Sequence, residues 1–441
     1  MHYKTHSALL ATLTTVAAFG ASNIHAAAIE FASQSAANLG TAGAGASSAG
    51  EDASSAWYNP AAMTQLKGQN LSLSGTVTTS SMRFNDQGST TAAGSAYTNL
   101  GGNAGGVSLV PALYYTRQLN DKLTAGFAFN VPFARITDYD DKWIGRFQSD
   151  KTKIESFNLN PSLGFKVSDQ LSLGAGISVQ KLDAEFTRKI SAFGEHDGKL
   201  KVDSWSYGFN VGALFKPTDR TNIGLTYRSQ VKHNTKGTAE FGIDPNTPAA
   251  VAASLRASRL ANGDIKADIT LPSSTALSVT HWINNKMSIR GELTYIGWSS
   301  IDKLDFQRSN GDPLSNTPLN LKDTYRAAIG GTYQYNDRTI LRTGLAFDKS
   351  PVDNSNRALI LPDSDRTWFS AGLGYKVNPQ LSIDAAYMYV KFAKAQLNNY
   401  SWNSTPATSG GQINNPNAVG NMNGYYDSDA HQFAVQANYK F

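Results

Sequence analysis

Residues 171–180 read LSLGAGISVQ. Leu171, Leu173, Ala175, Ile177 and Val179 share one parity, while Ser172, Gly174, Gly176, Ser178 and Gln180 share the other. That is the period-two signature of a strand with one apolar face. The C-terminal stretch HQFAVQANYKF (431–441) repeats it, with Phe433, Val435, Ala437, Tyr439 and Phe441 against Gln432, Gln436, Asn438 and Lys440. LTAGFAFNV (123–131) and YGFNVGALF (207–215) do the same. An apolar strand face packs inward in a soluble sandwich and faces lipid in an outer-membrane barrel, so periodicity alone leaves both open.

The connections decide between them. The pattern predicts strands over 70–83, 107–118, 122–131, 154–167, 170–187, 199–216, 221–232, 266–281, 287–299, 322–335, 339–347, 366–376, 380–392 and 430–441. Short links, such as Ser168-Asp169, Asn336 to Arg338 and Val377 to Pro379, alternate with long ones at 84–106, 233–265, 300–321 and 393–429. An even count of about fourteen strands, with turns at one end and long loops at the other, is the layout of a transmembrane antiparallel β-barrel. Composition agrees: charged residues are 17%, aromatics 10%, and no apolar run is long enough for a membrane helix. Aromatics including Tyr114, Tyr115, Phe215, Tyr227, Trp298, Tyr387 and Tyr439 lie near strand ends, where interfacial girdles belong.

Residues 1–26 have a basic start, an apolar Ala8–Ala21 and a cleavage-like Ile24-His25-Ala26, and read as a secretory signal peptide. The address is then the bacterial outer membrane. The net charge of +5 carries no Lys/Arg cluster, so no nucleic-acid partner is expected. With no Cys, and three of the seven His inside the signal, neither a transition-metal site nor a cofactor is expected. No GxSxG or closely spaced acidic–His pair suggests an enzyme.

Residues 27–69 lack strand alternation, and the expected domains are this segment and a barrel over 70–441. EDASSAWYNPAAM (51–63) lies within it. Its small residues suit close packing in a confined space, and a barrel of about fourteen strands leaks unless its lumen is filled. The segment therefore reads as an internal hatch. Asn59-Pro60-Ala61 forms its turn, with Trp57 and Tyr58 as anchors against the wall.

Leu39-Gly40, Asp52 and Asn59-Pro60-Ala61 resemble the N-terminal segment of the FadL/outer-membrane protein P1 family. So do VPFARITDYDDKWIGRF (131–147), LTYRSQVKH (225–233), GWSSIDKL (297–304), KDTYRAAIG (322–330), RTGLAFDKSPV (342–352) and PDSDRTWFSAGLGY (362–375). The resemblance spans the mature chain. It implies a fourteen-stranded barrel with a hatch, monomeric, that imports long-chain fatty acids or aromatic hydrocarbons. Capture at the outside would be followed by hatch movement and lateral escape through the wall. It also implies contact with outer-membrane lipid and lipopolysaccharide, and with the barrel-assembly machinery that reads the terminal Phe441.

Parity locates candidate site residues independently. Past Lys181 the pattern inverts: Leu182, Ala184 and Phe186 keep the inward parity, as do Leu200 and Val202 opposite, and Met388, Val390 and Phe392 on a distant strand. Apolar side chains inside the outer half of the barrel suit a greasy ligand and count against a general diffusion porin. A β-bulge or a folded-in loop would produce the same pattern. Val131-Pro132-Phe133 ends a strand abruptly. By resemblance it is near a kink that opens the wall, and by local chemistry it equally begins a loop. Arg228, Arg290, Arg326 and Arg342 take the inward parity, with Glu292 and Asp384 as expected partners holding the hatch. Arg188 and Lys322 resemble family positions near the ligand, or are solvated loop charges. TPAAVAASLRASRLANG (247–263) suits a short rim helix that is a landing site or simply packs on its barrel.

Overall fold

A computed structural model describes residues 29–93, 95–257, 260–398 and 419–441. The expected signal peptide and most of the 393–429 loop lie outside the described residues. Twenty hydrogen-bonded segments join into one antiparallel sheet, and six of them continue a strand past a break, which leaves fourteen barrel strands.

These are β1 (Gln69–Asp86), β2 (Val107–Gln118), β3 (Leu123–Asn130, resuming as Ala134–Asp138), β4 (Lys151–Lys166) and β5 (Leu171–Ser191). Then come β6 (Glu195–Thr218), β7 (Thr221–Arg228, resuming as Val231–Gly242), β8 (Gly263–Leu271 and Ser274–Trp282) and β9 (Met287–Ile296 and Lys303–Arg308). The circle is completed by β10 (Pro313–Pro318 and Thr324–Asn336), β11 (Thr339–Asp348), β12 (Arg366–Lys376), β13 (Leu381–Phe392 and Ala395–Asn398) and β14 (Asn423–Lys440). β14 pairs with β1 from Asn70↔Lys440 to Asp86↔Gly424, so the sheet closes on itself. Closure gives every spanning backbone group a partner, the condition for strands to cross hydrocarbon.

The outer face is apolar. Leu173, Ile177, Phe209, Val211, Ile289, Ile329, Phe369, Phe433 and Val435 are exposed around the wall. Among the described residues no helix is long and apolar enough to span a membrane. Segments expected as loops prove to be strand. β7 continues through VKHNTKGTAEFG with Val231, His233 and Thr235 buried, and Lys303–Arg308 and Pro313–Pro318 form a hairpin within the 300–321 connection. His233 is accordingly in the wall rather than beside a loop, held between Ser204 Oγ (2.9 Å) and Gln180 Oε1 (3.1 Å). Above the bilayer the outward face of a strand meets water instead of lipid, so the apolar outer face that marks a membrane strand is lost.

Residues 29–66 lie inside the ring, bonded to strands all around it. Ala36 N donates to Gln436 (3.1 Å), Ser47 N to Glu292 (3.0 Å), and Tyr114 Oη to the Gln34 carbonyl (2.8 Å). The segment contains two short helices, α1 (Ala36–Leu39) and α2 (Ser55–Tyr58), followed by a 3₁₀ helix over Pro60–Gln65.

Candidate functional site

The Asn59-Pro60-Ala61 turn is the docking point of this inner segment. Asn59 caps the 3₁₀ helix by accepting from Ala61 N (3.0 Å), with Pro60 at the first helical position. Its amide donates to the carbonyls of Ser47 (2.7 Å) and Ala213 (3.1 Å), tying the cap to the wall. The wall has made room with glycine. Gly164, Gly174 and Gly212 sit side by side in register on β4, β5 and β6, and a Cβ on any of them would collide with Asn59, Pro60 or Ala61. Gly126 on β3 is likewise filled by Met63. Trp57 lies under the Arg228 guanidinium, 3.4 Å from the ring centroid, and its carbonyl accepts from the same group (2.7 Å). Tyr58 accepts from Gln34 N (3.0 Å). Residues 57–61 are therefore packed against the wall and tied to it by hydrogen bonds.

Of the expected partners for the lumen arginines, Asp384 meets Arg342 at 2.6 Å, but Glu292 has no ion pair among the described residues and accepts instead from Ser47 N. The inner segment supplies the others: Glu51 pairs with Arg290, and Glu30 with Arg326 at 2.9 Å. Sequence reasoning missed both glutamates. They have no periodic signal, and their partners are 239 and 296 residues away.

Around Pro132 the wall is interrupted. β2 pairs with β1 as far as Val107, but with β3 only over Leu113–Gln118, so Val107–Ala112 has no partner on that side. The register between β3 and β4 shifts by one residue across Val131-Pro132-Phe133, and pairing then resumes at Ala134. Residues 29–34 fill the interruption. Phe31 N donates to the Pro132 carbonyl (2.8 Å), Ala134 N to that of Ile29 (2.7 Å), and Gln34 Nε2 to that of Val131 (2.7 Å). Phe31 is buried with Val110, Val131 and Ala134.

In the outer half, a cavity of about 510 Å³ is lined by Phe186, Arg188, Leu200, Phe241, Leu260 and Phe306, among others. That falls within the ~300–1,000 Å³ typical of small-molecule sites. Phe186 and Phe306 meet edge to face at 5.4 Å. Among the described residues no carboxylate pairs with Arg188, and burial alone pulls its guanidinium pKa down. Beneath lies an apolar chamber with Ile29, Phe186, Trp298, Leu304 and Ile360 on its walls. Leu182, Ala184 and Val202 belong to the same apolar core. Lower still, a cavity of about 90 Å³ touches Glu30, Trp57, Phe133, Glu292 and Arg326. Phe186, Leu304 and Ile360 are common to the first two spaces, and Ile29 and Glu30 are adjacent residues in the second and third.

The other candidates lie elsewhere. Met388 and Val390 are buried with Leu39 and Trp368 of a separate cluster, against which Phe392 packs; their inward parity serves contact with the inner segment. Lys322 is exposed and pairs with Asp353, away from the outer cavity. The rim helix, α3 (Ala249–Ala257), buries none of its residues, whereas Leu260 beyond it lines the cavity.

The profile of the family described as outer membrane protein transport protein (OMPP1/FadL/TodX) matches residues 17–441. Outer membrane protein P1 of Haemophilus influenzae is 29% identical, over 89% of this chain and 92% of its own. The long-chain fatty acid transport protein of Escherichia coli K12 is 27% identical, over 66% of this chain and 72% of its own. The crystal structure of a Pseudomonas aeruginosa FadL homologue superposes with a TM-score of 0.84 at 26% identity, covering 94% of this chain and 99% of that one. A closed barrel with an apolar outer face, filled from within and interrupted at one strand, thus has relatives along its whole length. The chain belongs to the OMPP1/FadL/TodX family of bacterial outer-membrane transporters, channels for hydrophobic compounds rather than enzymes.

Proposed function

We propose that this protein takes up long-chain fatty acids, captured in the outer cavity and released sideways at the interruption beside β3. The observation that carries the reading is Arg188 without a carboxylate partner on the wall of a largely apolar cavity. A ligand with an apolar chain and an anionic head satisfies both features, whereas an aromatic hydrocarbon offers the cation a ring face but no opposite charge. The succession of spaces from Phe186 through Ile29 to Phe133 supports a path that ends at the wall. Residues 29–34 act in this reading as the movable part of the hatch. The glycine-seated body around Asn59-Pro60-Ala61 stays in place and keeps the lumen closed to water.

The test is uptake of radiolabelled oleate and, separately, toluene by cells lacking their own transporter. A charge-assisted hydrogen bond contributes about 1.5–3 kcal/mol, so Arg188→Met should raise the half-saturating oleate concentration at least tenfold. Toluene entering while oleate does not would overturn the fatty-acid reading in favour of an aromatic-hydrocarbon transporter.

A further inference from the structure

We propose that the Glu30–Arg326 ion pair is a latch opened by exchange of carboxylates. The ligand's head group takes the place of Glu30 on Arg326, and the segment that fills the wall is thereby freed. The inference rests on the fatty-acid reading above and adds the step that couples ligand to opening.

Glu30 stands at the centre of the plugging segment. Its backbone forms an antiparallel bridge with Phe133, between the hydrogen bonds that Ile29 and Phe31 make with Ala134 and Pro132. Its side chain reaches across the lumen to Arg326 on β10, at 2.9 Å. Apart from Gln34, which donates to Val131, the segment's remaining hold on the kink is backbone bonding and the burial of Ile29 and Phe31. The ion pair is thus the one charged tether between this segment and the wall among the described residues.

The pair is poised for exchange. Both side chains line the lower cavity, so Arg326 is reachable from the space where the path ends. They are 16% and 12% exposed, which makes the pair largely desolvated and its charge balance strict. Glu292 lines the same cavity, and Asp348 adds its charge to the Arg326 environment. A further carboxylate entering here adds like charge to Glu30, Glu292 and Asp348, which makes it costly to keep both Glu30 and the newcomer at Arg326. The arriving head group therefore expels Glu30. A neutral apolar molecule of equal length has no group to exchange and leaves the latch shut. Glu30 and Arg326 are in this account specificity-determining residues, and they select for the carboxylate.

The chain contains no cysteine, so a single Ser33→Cys substitution puts a unique thiol in the buried segment. Its maleimide-labelling rate in lipid nanodiscs reads release directly. Oleate is expected to speed labelling about tenfold or more, while methyl oleate leaves it unchanged. Glu30→Gln should label fast with no ligand, and Glu30→Asp, which keeps the charge, should stay slow until oleate is added. Heat-modifiable mobility on gels verifies that each variant is folded. Equal acceleration by acid and ester, or slow labelling of Glu30→Gln, overturns the latch. Oleate uptake by the same cells then shows whether the transport reading fell with it or stands alone.

Discussion

Removing the Asn59 side chain should loosen the inner segment without disturbing the barrel. Asn59→Ala deletes three hydrogen bonds in a fully buried site: two donated to the carbonyls of Ser47 and Ala213 and one accepted from Ala61 N. Ala213 lies in a paired strand, so the groups left most exposed to loss are the Ser47 carbonyl and the Ala61 amide. Buried groups deprived of a partner cost about 1–3 kcal/mol each, which gives roughly 2–6 kcal/mol against the docked segment. At 1.4 kcal/mol per decade, its undocked population should rise at least about 30-fold and up to about 20,000-fold. Amide hydrogen exchange of residues 45–65, followed by mass spectrometry in nanodiscs, reads that population, with β5 and β6 as internal controls. Single-channel conductance in planar bilayers should show brief openings absent from wild type. Asn59→Ser, which keeps a capping oxygen but lacks the reach to Ala213, should fall in between. Unchanged exchange in Asn59→Ala would refute the argument that this side chain holds the segment.

Other outcomes follow from the same geometry. Gly174→Val, which puts side-chain atoms where Pro60 and Ala61 lie, should undock the segment and raise ion leak while the barrel still assembles; silent conductance would show that the glycine seat is not needed. Phe186→Arg should abolish saturable oleate uptake at matched surface expression, because it places a charged group in the apolar passage between the outer cavity and the chamber below. Arg342→Met takes the cation from Asp384, which is buried and keeps a hydrogen bond from Asn438; losing one partner of such a pair costs about 3–5 kcal/mol, so the heat-modifiable transition should fall by several degrees.

Much of the wall was legible in the sequence because lipid enforces a simple rule. LSLGAGISVQ and HQFAVQANYKF display it in full, one parity apolar and the other small or polar. Where the rule lapses, reading lapsed too. VKHNTKGTAEFG is strand, but its outward Lys232, Lys236 and Glu240 face water and imitate a loop. The Phe186 inversion was readable because parity survives above the bilayer even when polarity reverses. Parity could not tell which inward residues share one space, so Met388 and Phe186 looked equivalent although their neighbours differ. The glycine seat left a trace that was overlooked: Gly164, Gly174 and Gly212 share the inward parity on consecutive strands, a close backbone approach written in advance. The pairing of Glu30 and Glu51 with arginines left none, since nothing local records a contact made across the lumen.

On the proposed route, substrate leaves at the interruption beside Pro132, and residues 29–34 must first move. Glu30 and Phe133 form a bridge whose flanking bonds make it a non-hydrogen-bonded antiparallel pair, the spacing at which two cysteines join without strain. In a chain with no other cysteine, Glu30→Cys/Phe133→Cys should form a single internal disulfide. Oleate uptake by cells carrying this variant should be lost under oxidation and return on adding a reductant. Uptake that persists with the disulfide fully formed would mean that the ligand crosses by another route, and the account of lateral release would fail.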